Sequence, residues 1–434
     1  MWPLGSDIDA LIPPVFISHM PYEESTNAGD IGADPASAGA REAFNSLIDG
    51  VTASGLVALY LRFVHPFLLI LSRQQLPSRE EEILDTPLPL LAALCATAIP
   101  FAVYDDVLCV EASRLPKADD IFQISWQALL QEKERPTLAT VQTYLLHLQR
   151  HHESEAQRHD ISTWRLCSEM VSIAQTLGLH DDPSSWTTLP RWERRLRKRL
   201  WWACWVTEKW ISFGHGMPSH LHQGGSSVTR LELDDLKDDE NHKQDISLYF
   251  LSLTQLTYIL SDIVDTFFTI RSCQQYSQNI DDTLRTARDF KQRLRNWYRD
   301  LPKELRPSRS TQIWSISTRA VEELNGIASL QIAFFATELA VFQALIRPIS
   351  MHVLHSTRSG SSAIGPLSSS ISHELISATM QGVIALLDEF IRLVSCFNTL
   401  EWDAFWPGCG YCVFLSVTPI SASRLTLEAC RVTT

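Results

Sequence analysis

Arg191-Trp192-Glu193-Arg194-Arg195-Leu196-Arg197-Lys198-Arg199-Leu200-Trp201-Trp202-Ala203-Cys204-Trp205-Val206-Thr207-Glu208-Lys209-Trp210 decides the fold. At about 100° per residue, Trp192, Leu196, Leu200, Ala203, Val206 and Trp210 share one face of a helix. Trp201 and Trp205 point away from that face, so the second half is apolar nearly all round and must be buried centrally. The first half carries six cations, at 191, 194, 195, 197, 198 and 199, against the single acid Glu193. They spread around the helix instead of lining one stripe, which weighs against direct insertion into a nucleic-acid groove. Phosphate binding and nuclear import are the functional readings of such a run. The structural reading is preferred: an exposed helix start whose cations pair with acids such as those at 232–240 while their stems cover apolar surface.

Outward from this helix, the 3.6-residue period recurs. In 161–178, Cys167, Met170, Val171, Ala174 and Leu177 form one apolar stripe, and Gly178 suits the left-handed position that ends a helix. Further helices are expected at roughly 44–74, 88–103, 119–130, 137–157, 246–277, 279–300, 313–346 and 371–397. No run of alternating β-branched residues bounded by hairpin turns is present, so the fold class is all-α. The predicted organisation is a flexible leader over 1–42, one large helical domain over 43–412, and an irregular tail over 413–434 that suggests a missed splice or truncation.

Composition narrows the function classes. The chain has 434 residues, 45% apolar and 20% charged, which excludes a wholly disordered or collagen-like protein. Its formal net charge of −13 argues against a chain built throughout to coat nucleic acid. Nine cysteines at irregular spacing fit a reducing compartment better than a disulfide framework. Thr86 to Tyr104 is an uncharged stretch, but Pro87, Pro89 and Pro100 interrupt it, and a buried helix is expected there in place of a membrane span.

The search for catalytic groups nominates no catalytic residue and no metal ligand. Asp105-Asp106 resembles the start of the aspartate-rich magnesium motif of all-α isoprenoid synthases. The fifth position is Cys109 where that motif needs a carboxylate, so two acids capping an apolar helix are the simpler account; the magnesium-dependent enzyme is kept as the alternative function. His147 and His151 stand one helical turn apart but lack the glutamate of the zinc-protease pattern, and a solvated helix face is expected. Cys409 and Cys412 form a lone pair without a second pair to complete a zinc site. No phosphate loop, nucleophile elbow or dinucleotide fingerprint is present.

A family resemblance enters on ordered motifs. Leu177-Gly178-Leu179-His180, then Glu193, Arg197, Arg199 and Trp201-Trp202, then Gly216-Met217-Pro218 resemble the fungal-specific transcription factor domain, or middle homology region, of Zn2Cys6 regulators. Tyr60-Leu61-Arg62-Phe63-Val64-His65-Pro66 upstream, and Ala333-Phe334-Phe335 through Leu345-Ile346-Arg347-Pro348 downstream, are similar to the same family's flanks. Met217 and Glu208 depart from the family's usual Arg and Asp, which puts a turn-fixing ion pair in question. Leu90 to Cys109 with Lys209-Trp210-Ile211-Ser212 resembles, more weakly, the branch of nitrogen-catabolism co-activators.

The resemblance implies a nuclear regulator of transcription whose helical domain binds other regulators, a second copy of itself, or a small-molecule effector, with no membrane partner and no cofactor in this chain. It also implies zinc and DNA binding through a six-cysteine cluster. The first cysteine here is Cys95, inside the helical region, so no residue of this chain is nominated for zinc or DNA. The expectation is either a cluster lost from this sequence or a regulator acting without touching DNA.

Overall fold

A computed structural model describes residues 35–77, 80–111, 114–132, 135–150, 162–222, 224–237, 248–276, 280–306, 326–358 and 373–397. Thirteen helices run through them, joined by turns and short 3-10 segments, with no strand among the described residues. They are α1 (Pro35–Leu47), α2 (Gly50–Phe63), α3 (Leu88–Ala98), α4 (Leu108–Glu111), α5 (Ala118–Glu132), α6 (Leu138–Leu148) and α7 (Ser162–Thr176). After these come α8 (Arg191–His215), α9 (Leu248–Phe267), α10 (Ile270–Tyr276), α11 (Ile280–Asp300), α12 (Ile327–Arg358) and α13 (His373–Ser395). The all-α expectation holds.

Three hubs share one continuous core. Helix α3 packs against α2, α5 and α6, and only Thr97 within it escapes full burial. It answers to the buried helix expected over 88–103 but ends at Ala98, after which Ile99–Tyr104 continues as a 3-10 segment carrying Pro100. Helix α8 packs against α6, α7 and α9. Helix α12 packs against α9, α11 and α13. Among the described residues Ile327–Ile349 is a helix long and apolar enough to cross a membrane, and 83% of its apolar window is buried in this body.

Where boundaries differ from the sequence reading, local chemistry explains it. The helix expected over 44–74 is cut at Asp49, whose carboxylate caps α2 by accepting from Thr52 N at 2.8 Å. It is cut again near Pro66, which cannot continue a helix, and the chain then runs as an irregular buried segment, Phe67 to Ser72. The boundary at 42 falls inside α1, where Ala40 and Phe44 are buried, as is Ile48 just after it, and the Arg41 guanidinium donates to the carbonyls of Leu84 and Thr86. The helix expected over 246–277 breaks between Phe267 and Ile270. The helix expected over 313–346 starts at Ile327 among the described residues and continues through Pro348 to Arg358. The rest of the leader, His151, Cys409, Cys412 and the tail 413–434 lie outside the described residues.

Candidate functional site

Helix α8 gathers the motif residues into one place. Trp201, Trp202 and Trp210 are buried, and Trp205 is partly so. Each of the first three indoles settles its polar edge or its ring against a different element, as a buried indole must. Trp202 Nε1 donates to Thr229 O at 3.0 Å, and Trp210 Nε1 donates to Thr257 Oγ1 of α9 at 2.9 Å. The Trp201 ring lies tilted beside that of His180, and Trp202 meets Trp205 edge-on while both lean on Tyr258, with Arg230 over Tyr258 at 4.7 Å.

The basic run is consumed by the fold, as the structural reading expected. Arg191 and Arg195 converge on Asp234 at 3.0 and 2.6 Å, and Lys198 meets Asp235 at 2.7 Å. Arg197 pairs with Glu193 at 2.9 Å and reaches the Leu177 carbonyl at the end of α7. Arg194 donates to Ser184 O at 3.0 Å. One part of the expectation needs correcting: this half of the helix is not simply an exposed start, since Arg195, Lys198 and Arg199 are buried. The Arg199 guanidinium donates to Leu71 O at 2.9 Å, across 128 residues of sequence. Gln142 holds the adjoining Ile70 carbonyl at 2.5 Å, so two buried side chains satisfy the backbone of the irregular segment before 73. No local pattern in the sequence announces that partnership.

The two flanking turns are built from the remaining motif residues. Gly178 takes φ +70, Gly178 N donates to Gln175 O, and Leu179 N donates to Ala174 O, which closes α7 with a Schellman-type end. His180 follows, and its carbonyl accepts from Ser226 Oγ and Ser227 N, so the loop over 224–237 is strapped to this turn. Asp182 clasps the same strap by accepting from Thr229 N, and caps its own following turn by accepting from Ser184 N, both at 2.8 Å. Partial burial opposes ionisation of Asp182, but those hydrogen bonds outweigh it and hold its carboxyl below the usual range. Asp234 is pushed down to about 2, chiefly by the Arg195 hydrogen bond against a smaller burial penalty, with Arg191 adding to it.

At the other end Gly216 takes φ +63 and closes α8, and Met217-Pro218 leads into a turn fixed from beneath. Glu208 has no exposed surface. Its carboxylate accepts from Ser212 Oγ, Ser219 Oγ and His220 N at 2.7–2.9 Å. Lys209 Nζ donates to Ser219 Oγ and Leu221 O at 2.7 and 2.8 Å. The departure from the family's usual Asp therefore does not cost the turn its anchor, because the longer glutamate reaches it by hydrogen bonds. Trp164 of α7 donates to Pro218 O at 3.1 Å and stacks on His220 at 4.3 Å, so α7 and the turn are joined directly. Of this node the sequence reading named Glu208 only as a departure from the family pattern and Lys209 only within the weaker branch resemblance, and it did not single out Trp164.

The other candidates stand apart from it. Asp105 Oδ1 accepts from Val107 N and Leu108 N, capping the start of α4 and not the end of the preceding apolar helix as expected. Among the described residues no cluster of three or more His, Cys, Asp or Glu is placed to hold a metal ion. His147 is the clearest correction: it is buried, not on a solvated face, because its side of α6 faces α5. Its Nε2 lies 3.0 Å from Ser125 Oγ, which donates to Pro89 O at 2.7 Å. With that hydroxyl proton spent on the carbonyl, the ring carries its own proton on Nε2 and is neutral, and burial pushes its pKa down to about 3.

Residues 57–299, more than half of the chain, match the family described as fungal specific transcription factor domain. The chain is 29% identical over 337 residues to the transcriptional activator protein DAL81 of Saccharomyces cerevisiae, covering 67% of this chain and 33% of that protein. It is 27% identical over 338 residues to an uncharacterized transcriptional regulatory protein of Schizosaccharomyces pombe, covering 77% and 47%. Cutinase transcription factor 1 beta of Fusarium vanettenii is 24% identical over 192 residues, covering 42% and 21%. The chain thus spans between a third and a half of the length of the first two relatives. No solved structure matches.

Proposed function

The chain belongs to the fungal specific transcription factor domain family, and from that premise we propose that it is the regulatory body of an RNA polymerase II transcription factor. It works by contact with partner regulators or a small effector, not by catalysis, and it acts in the nucleus. The observation that carries this reading is the convergence on α8 of every ordered family motif from Leu177 to Pro218, inside the matched region. The carboxylates and guanidinium groups of that node are spent on holding distant chain segments, which suits a scaffold. The isoprenoid-synthase alternative finds no support: Asp105 serves as a cap, and the relatives are named as transcription regulators.

Zinc and DNA binding enter only through the family's six-cysteine cluster, which no described residue supplies. The branch of nitrogen-catabolism co-activators is the placement we favour within the family, on the resemblance of Leu90–Cys109 and Lys209–Ser212. Chromatin immunoprecipitation of the tagged protein in its native host tests the reading. Enrichment at promoters is the expected result; exclusion from the nucleus under every growth condition would overturn it.

A further inference from the structure

Helix α11 separates its charges around its circumference. Thr283, Ala287, Phe290, Leu294 and Trp297 face the core. On the opposite side Arg285, Arg288, Arg295 and Arg299 line one exposed stripe, with Asp281 at its N-terminal end and Gln292 at its middle. Their spacing of three, four or seven residues keeps them in register over about 20 Å at 1.5 Å per residue. Asp282, Asp289 and Asp300 lie along one flank of the stripe, about a quarter turn away, together with Arg293, whose charge is taken up by Asp262.

The fold does not use these arginines as it uses those of α8. Arg285 and Arg299 make only local, solvent-exposed pairs with Asp282 and Asp300, at 3.3 and 3.1 Å. Such pairs contribute little and exchange readily for a better carboxylate. Arg288 and Arg295 form no ion pair among the described residues, although Glu338 of α12 feels the charge of Arg295. In a chain of net charge −13, four guanidinium groups on one face, interrupted only by Gln292, make a local inversion of the molecular field.

We propose that this face of α11 is a docking strip for an acidic helical or extended peptide segment of a partner protein. The strip is one helix wide, and its flank carries carboxylates. A single acidic segment lying along it meets guanidinium forks suited to bidentate carboxylate pairing. A nucleic-acid duplex would bring its second strand over the aspartate flank, where like charges repel. The proposal deepens the contact role proposed above by naming a surface and the chemistry of its partner. It is tested on purified protein, so its failure is distinguishable from absence at promoters.

The probe is a synthetic helical peptide of about 20 residues with glutamate at every third and fourth position, enough to span the strip. Fluorescence anisotropy with the full chain should show binding that weakens as salt rises from about 50 to 300 mM. The double variant Arg288→Glu/Arg295→Glu should bind at least about tenfold more weakly. The milder Arg288→Gln/Arg295→Gln, checked for unchanged helical circular dichroism, should lose a smaller but measurable part. Equal affinity for both variants and the parent chain would overturn the proposal. Equal binding of a lysine-for-glutamate peptide would overturn it too. So would tighter binding of a short DNA duplex through the same arginines, which would assign the strip to nucleic acid.

Discussion

Glu208 and His147 show how single buried groups are satisfied here, and both make measurable claims. Glu208 is an ionisable carboxylate with no exposed surface, made tolerable by three hydrogen bonds and the Lys209 ammonium at 4.0 Å. Removing it leaves Lys209 and the His220 amide facing a hole, so Glu208→Ala should cost about 3 kcal/mol in urea unfolding. Glu208→Gln, which keeps the acceptor, should cost clearly less; equal losses would deny the carboxylate its anchoring role. His147 is held neutral, with its folded-state pKa of about 3 below the unfolded value. Its contribution is therefore fully present above about pH 6.5 and declines as pH falls towards 3, by up to about 1.4 kcal/mol per pH unit. Between pH 6.5 and 4 the parent chain should lose stability more steeply than His147→Gln, and parallel curves would contradict the assignment. The sequence exposed the six cations and the tryptophans at once, because helical period alone places them. It could not show that Arg199 serves Leu71 or that His147 faces inward, since both depend on which helix lies opposite.

At the scale of elements, chain direction is fixed by a few backbone positions and by one latch. Gly216 and Gly326 both take positive φ, at +63 and +64, but their surroundings differ. A Cβ at Gly216 would meet open space, whereas one at Gly326 would overlap the rings of Phe67 and Tyr249. Gly216→Ala should cost about 1 kcal/mol, and Gly326→Ala about 3 kcal/mol or more, by thermal unfolding. A reversed order would mean that packing around Phe67 yields easily.

The latch is the loop over 224–237, tied to α8 through Asp234. Its depressed carboxyl pKa, about 2, means the tie is at full strength above about pH 4 and is lost as pH falls through 2. Asp234→Asn should break it at neutral pH, seen as faster exchange of the Trp202 indole proton that Thr229 O accepts. Unchanged exchange would show that Lys198–Asp235 and Asp182 with its partners hold the loop without Asp234. Helix existence was legible in the periodicity nearly throughout. Boundaries were less so, because a cap such as Asp49 and a break such as Pro66 sit within an otherwise continuous apolar pattern. The link between the basic run and Asp234 was legible as charge complementarity, although which acid takes which cation was not.

The whole molecule joins three helical hubs through one core, with α8 at the middle, so a change at either end of α8 is felt by α7, α9 and the loop strapped across them. That layout suits a body that regulates by presenting surfaces. A tethered reporter assay asks whether it does so. The chain is fused to an unrelated DNA-binding module and recruited to a reporter promoter, and transcript output is compared with the module alone. The account predicts that the intact chain changes output and that Glu208→Ala, which loosens the end of α8, removes the change at equal protein level. Output identical to that of the module alone, with the fusion folded and bound at the promoter, would contradict it.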